Sequence, residues 1–146
     1  MIRVYNPFWN NASVREMVTA FVRQYPKMVE RLEEFRSLDA LSVSEEHDGM
    51  PRGNGVSDPT AKIAVRKAVY EAALEREIRV IDEARKHIDP LYREAVWAAA
   101  LGRQSKEKIA ERYAVSKTTI RKHLYMFHYE IAVEMGWMTP EDWGNL

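Results

Sequence analysis

Apolar residues recur along most of this chain at spacings of three and four, the period of an α-helix with one covered face. Val14, Met17, Val18 and Phe21 form the first such set. They follow a capping box of Ser13 and Glu16, which places a helix from about Asn10 to Gln24. Tyr25-Pro26 ends it, because the residue before proline avoids the α region. Pro26 suits the first turn of a second helix. Met28, Leu32 and Phe35 mark the apolar face of that helix, which is expected to end near Leu38. The two helices predict an N-terminal hairpin over residues 1–41.

The pattern then lapses. Residues 42–60 hold Gly49, Pro51, Gly53, Gly55 and Pro59 among polar residues, with no period, and predict a linker or mobile loop. Asp58-Pro59-Thr60 is a helix start, a capping side chain followed by proline. A long helix is expected from about Pro59 to His87. Ile63, Tyr70, Leu74, Ile78, Ile81 and Ile88 fall at intervals of 7, 4, 4, 3 and 7, close to a heptad seam. Such a seam is roughly 40 Å long. Either the chain's own helices cover it, or a second copy of the chain does. Asp89-Pro90 starts a further helix with a face of Leu91, Ala95, Val96, Ala99 and Leu101, and Gly102 stops it. No strand pattern occurs, so the fold class is all-α, with residues 61–146 forming one long helix and a C-terminal domain.

From Ser105 the pattern becomes specific. Ser105 caps a helix over Lys106 to Tyr113 with Ile109, Ala110 and Tyr113 facing inward. Ala114-Val115 makes a short turn. Ser116 caps a second helix with Ile120, Leu124, Phe127 and Ile131 on its covered side. This is the layout of a helix-turn-helix. Ala110 is small where the second helix crosses, Val115 fills the gap, and Ile120 anchors the second helix to the first. The turn position of Ala114 calls for positive φ and more often holds glycine; alanine there costs about 1 kcal/mol.

Composition excludes several classes. There are no cysteines, hence no disulfide framework, thiolate zinc site or cysteine nucleophile. Charged residues make up 30% and no apolar run approaches a span, so no membrane is expected as a partner. The start of the chain lacks the apolar run of a signal peptide, which points to the cytoplasm. Formal net charge is zero, from 22 basic and 22 acidic residues. An even distribution of those charges speaks against nucleic acid, but theirs is uneven. Between Arg103 and His123 lie seven basic residues against two acidic, a local excess of five positive charges. From Leu124 onward there are four acidic residues and no lysine or arginine. The positive patch falls where a DNA-reading helix would sit. Ser116, Lys117, Thr118, Arg121 and Lys122 are the candidates to read base edges, because a recognition helix presents its N-terminal residues to the groove. Arg121 suits guanine, and a threonine methyl suits the thymine methyl. Arg103, Ser105, Lys106, Lys108, Arg112, Thr119 and Tyr125 are the candidates to meet phosphates.

The segment "SKEKIAERYAVSKTTIRKHLYMFHYEIA" resembles the C-terminal promoter-reading domain of bacterial sigma factors. Residues 49 to about 135 more closely resemble phage late-gene transcriptional activators of the RinA and ArpU type. There a loop like "GMPRGNGVSDPTAKIA" precedes a long helix, an arginine-bearing segment like "IDPLYREAVWAAAL" follows, and a sigma-like helix-turn-helix comes last. This chain departs from the pattern at Gly102-Arg103-Gln104, where the family often has a more aromatic turn, and at Ala114. The resemblance implies a sequence-specific activator of phage packaging and morphogenesis genes. It would act on double-stranded promoter DNA in the cytoplasm of the bacterial host, with host RNA polymerase as a partner.

Other constellations carry less. His123 and His128 are five apart and share no helix face, unlike a helical zinc pair. The linker glycines lack the strand and Gly-Lys-Ser/Thr of a phosphate loop. Adjacent carboxylates such as Glu33-Glu34 do not converge on a helix. No catalytic set, metal site or cofactor site is expected, and the chain does not read as an enzyme. Thr139-Pro140 starts a last short helix, with Trp137 and Trp143 packing back on the domain or forming a partner surface; Phe8 and Trp9 pose the same choice. Two other functions compete: a phage terminase small subunit, which also joins a helix-turn-helix to an oligomerising helix, and a helical protein–protein adaptor.

Overall fold

A computed structural model describes residues 11–45 and 58–139. Among the described residues the chain is all-α, with six helices and no strand: α1 (Ala12–Arg23), α2 (Tyr25–Glu45), α3 (Asp58–Lys86), α4 (Arg93–Leu101), α5 (Lys106–Tyr113) and α6 (Lys117–Glu134). No helix among the described residues is long and apolar enough to cross a membrane. Phe8, Trp9, Trp143 and the Gly/Pro-rich centre of the expected linker lie outside the described residues.

Two compact units divide the chain, one of Met1–Tyr25 with Val80–Leu146 and one of Pro26–Arg79. The division falls after Tyr25, and not at the end of the expected hairpin. The cause is α1, whose buried residues are Val14, Val18 and Val22 and which packs on α4 and α6. Its cap also differs from the expected Ser13: the Asn11 side chain accepts the Val14 N–H at 3.1 Å. Starting at Asn11 turns the three valines inward and leaves Met17 45% exposed.

In the first unit α6 lies against α1, α4 and α5, and α4 also packs on α1 and α5. Ala95, Ile109 and Ile120 form a buried cluster, with Ala98, Ala99, Ala110, Tyr113 and Val115 packed against it. Ala110 and Val115 are thus partly buried against this cluster. Aromatic edges tie the periphery to this core. Phe21 meets Trp137 at 5.4 Å between centroids, Tyr25 meets Trp97 at 5.1 Å, and Trp97 meets Phe127 at 6.3 Å. Trp137 thus packs back on its own unit. Tyr25 donates to Asp82 Oδ1 at 2.6 Å; burial first, then that carboxylate, push its phenol up to about 12. Arg93 holds the end of α3 by donating to the carbonyls of Lys86 at 2.9 Å and Ile88 at 3.1 Å, a cation on the orphan acceptors of a helix C-terminus.

Helix α4 begins at Arg93 and not at Pro90. The Asp89 side chain accepts the Leu91 N–H at 3.0 Å, and its carbonyl accepts from Tyr92 at 2.9 Å. This turn leaves Leu91, expected in the core, 76% exposed. The helix stops at Gly102, as expected, in the left-handed region at φ 69°. A side chain there would also collide with the Arg23 guanidinium, 2.5 Å from an added Cβ.

The second unit is built from α2 and α3. Met28, Leu32 and Leu74 are buried, and Phe35 meets the Tyr70 ring edge-on at 5.4 Å. Arg31 donates to the Tyr70 hydroxyl at 3.2 Å, and Arg36 pairs with Glu75 at 2.6 Å. Helix α2 runs past Leu38 to Glu45, so the first four residues of the expected linker are helical, and α3 already includes its last three. The α3 seam is covered only in part. Leu74, Ile81 and Ile88 are buried, but Ile63 and Tyr70 are exposed, as are Val65 and Val69 nearby.

Candidate nucleic-acid interface

Helices α5 and α6 are joined by Ala114, Val115 and Ser116. Ser105 opens α5 by accepting the Lys108 N–H at 3.3 Å, and Ser116 opens α6 by accepting the Thr119 N–H at 3.1 Å. Both caps are the expected ones. Ala114 ends α5 at φ 52°, ψ 44°, in the left-handed region, and its N–H bonds to the Ala110 carbonyl. The chain reverses tightly there, and α6 leaves with Ile120, Leu124, Phe127 and Ile131 buried.

That packing decides which candidates face water. Ser116, Lys117, Thr118, Arg121 and Lys122 are all exposed, at the N-terminal end of α6. Arg103, Ser105, Lys108 and Arg112 are exposed on and before α5. Several already have partners. Lys117 Nζ pairs with Glu107 of α5 at 2.9 Å, and that hydrogen bond holds the Glu107 carboxyl below its ordinary range. The Ser116 hydroxyl donates to Thr119 Oγ1 at 2.8 Å, so half-buried Thr119 serves the cap. The Arg112 guanidinium lies over the Tyr113 ring at 5.3 Å. His123, beside this face, stacks on Tyr92 at 4.7 Å.

Two phosphate candidates sit elsewhere than expected. Tyr125 is half-buried, and Lys106 is half-buried beside it. Both line a groove with Arg15, Glu16, Thr19 and Arg23 of α1. The reason is that α1 covers a second face of α6, which the spacing of apolar residues in α6 alone does not reveal. Arg15 and Arg23 are the charged residues that sequence reasoning missed; their only signal was their place on the polar side of the Val14-Val18-Val22 stripe. His128, 4% exposed, also borders the groove; burial first, then Arg23 and Lys106, lower its pKa to about 4. Among the described residues no group of three His, Cys, Asp or Glu is placed to hold a metal ion.

Compared with protein-family models, curated proteins and solved structures, the chain finds no match in any of the three.

Proposed function

We propose that this protein is a sequence-specific DNA-binding transcriptional regulator whose α5–turn–α6 segment works as a helix-turn-helix. One observation carries the reading. A serine-capped helix with Thr118, Arg121 and Lys122 exposed at its start is held by a tight left-handed turn on a second capped helix. A helix so held presents its N-terminal side chains to a major groove, while the α5 cations meet phosphates. The resemblance to phage late-gene activators extends the proposal to promoter DNA and host RNA polymerase. Selection of bound duplexes from a random pool tests it: a recurring motif near the promoters of neighbouring genes is expected, and an unenriched pool overturns the reading.

A phage terminase small subunit is the second reading, favoured by the exposed half of α3. Ala61, Val65, Ala68 and Ala72 form an outward apolar stripe there. Exposed apolar residues at that spacing suit helix–helix packing, so the stripe is read as a homo-oligomer contact. Light scattering separates the readings: a ring of many copies favours the terminase, a monomer or dimer the regulator.

A further inference from the structure

The groove beside α6 has a volume of about 470 Å3 and lies between α1, the end of α4, the start of α5 and the middle of α6. Its charged lining is Arg15, Arg23, Lys106 and Glu16, three cations against one carboxylate. Ala12, Ala20, Ala99, Ala100 and Leu124 supply apolar walls, and Thr19 and Tyr125 bring hydroxyls. Low-dielectric walls strengthen the attraction of the cations for an anion. His128 at its edge stays neutral at pH 7, held so by burial and by the positive field of Arg23 and Lys106.

An independent observation points to a ligand. Arg15 Nε is buried, and no acceptor among the described residues meets it. A buried guanidinium N–H without an acceptor is costly, and guanidinium nitrogens pair best with oxyanions. Glu16 lines the same groove but does not bond that nitrogen.

We propose that this groove is a phosphate site, in which Arg15, Arg23 and Lys106 surround one phosphate group. The group comes from a DNA backbone flanking the α6 contacts or from a free phosphate-bearing molecule. The DNA source rests on the reading of α5 and α6 given above; the free source does not. Tyr125 lies one turn beyond Arg121 on α6, which places the groove next to the proposed base-reading residues.

Two measurements test the site on the full chain. The first titrates wild type with inorganic phosphate and follows the Arg15 Nε–H resonance by NMR; a saturable shift is expected. The second measures binding of a fluorescein-labelled random-sequence duplex across salt concentrations for wild type, Arg15→Gln/Arg23→Gln and Arg121→Ala. If the backbone supplies the phosphate, the double variant loses about tenfold or more in affinity, and its salt slope falls by about one, the one phosphate no longer held. If the duplex is bound equally by the double variant while phosphate still shifts Arg15 Nε–H, the site stands and its ligand is free. Should wild type bind no duplex but respond to phosphate, the DNA reading fails and the groove survives. Duplex binding that the double variant leaves unchanged, with no response to phosphate, overturns the groove and leaves the DNA reading intact. Silence in both measurements sinks both. The wild-type titration requires no variant to fold, and thermal melts check the double variant.

Discussion

Ala114 holds φ 52°, ψ 44°, a conformation in which its Cβ crowds the following carbonyl. Glycine relieves that strain but adds freedom to the unfolded chain, so Ala114→Gly is expected to stabilise by about 0.5–1 kcal/mol. Chemical denaturation reads this as a higher midpoint at unchanged slope; a lower midpoint would mean the methyl packs productively. His128 sets a pH dependence. Its folded pKa of about 4 lies below the ordinary value near 6.5. Above pH 6.5 the ring is neutral folded or unfolded, and its contribution is constant. As pH falls from 6.5 toward 4 the unfolded chain takes up a proton that the folded chain refuses, so stability drops by at most about 3 kcal/mol and then levels. His128→Phe is expected to flatten that part of the stability–pH curve, and an unchanged curve would assign it to other groups. Residue-scale features within a few positions were legible. The Ser105 and Ser116 caps and the left-handed turn depend on local backbone alone. The choice of Asn11 over Ser13 was not legible, because both residues cap well and tertiary burial of Val14, Val18 and Val22 decides between them.

At the scale of elements, α5 and α6 divide the proposed work, and the division can be measured. Arg121→Ala is expected to weaken binding to a selected duplex by about 1–3 kcal/mol and to relax preference at one base pair. Lys108→Ala should weaken binding to every duplex alike and lower the salt slope by about one. Gel-shift titrations in which neither variant differs from wild type remove α6 as the reading helix. Glu107→Gln acts in the other direction. It releases Lys117 and deletes a negative charge from the same face, so tighter binding to all duplexes is expected. Most helices were legible because capping residues, prolines and glycines punctuate the chain. The end of α2 was not. Nothing after Leu38 breaks a helix until the glycines, and falling apolar content does not by itself end one. The α3 seam was legible as a period but not as a covered surface: Leu74 is buried while Ile63 and Tyr70 are exposed, since periodicity does not say how far a partner extends.

For the whole molecule, sequence patterning carried the fold class and missed the grouping of helices. Helix α1 packs on α6, about a hundred residues later, and no local signal encodes a pairing at that distance. The groove lined by Arg15, Arg23 and Lys106 was invisible for the same reason. Charge tells a similar story at larger scale. Net charge is zero, yet seven cations lie between Arg103 and His123, with four acidic residues and no lysine or arginine from Leu124 on. Counterion release depends on the cations that touch phosphates and not on net charge, so log affinity for a random duplex should fall against log salt with a slope of about −4 to −6. The acidic residues act differently. On the proposed DNA reading, negative charge outside the contact repels the duplex through solvent, over a Debye length of about 10 Å at 0.1 M salt. Neutralising exposed Glu134 together with Glu141 and Asp142, as Glu134→Gln, Glu141→Gln and Asp142→Asn, should therefore raise affinity a few-fold at low salt. The gain should shrink as salt rises, which makes the measured slope steeper while the phosphate contacts stay the same. Anisotropy titrations from 50 to about 300 mM salt separate the two effects across the range where screening tightens. A wild-type slope near −1 would show that the patch of α5 and α6 does not lie on the backbone. A gain from the triple variant that persists at high salt would show that those carboxylates contact the binding face directly.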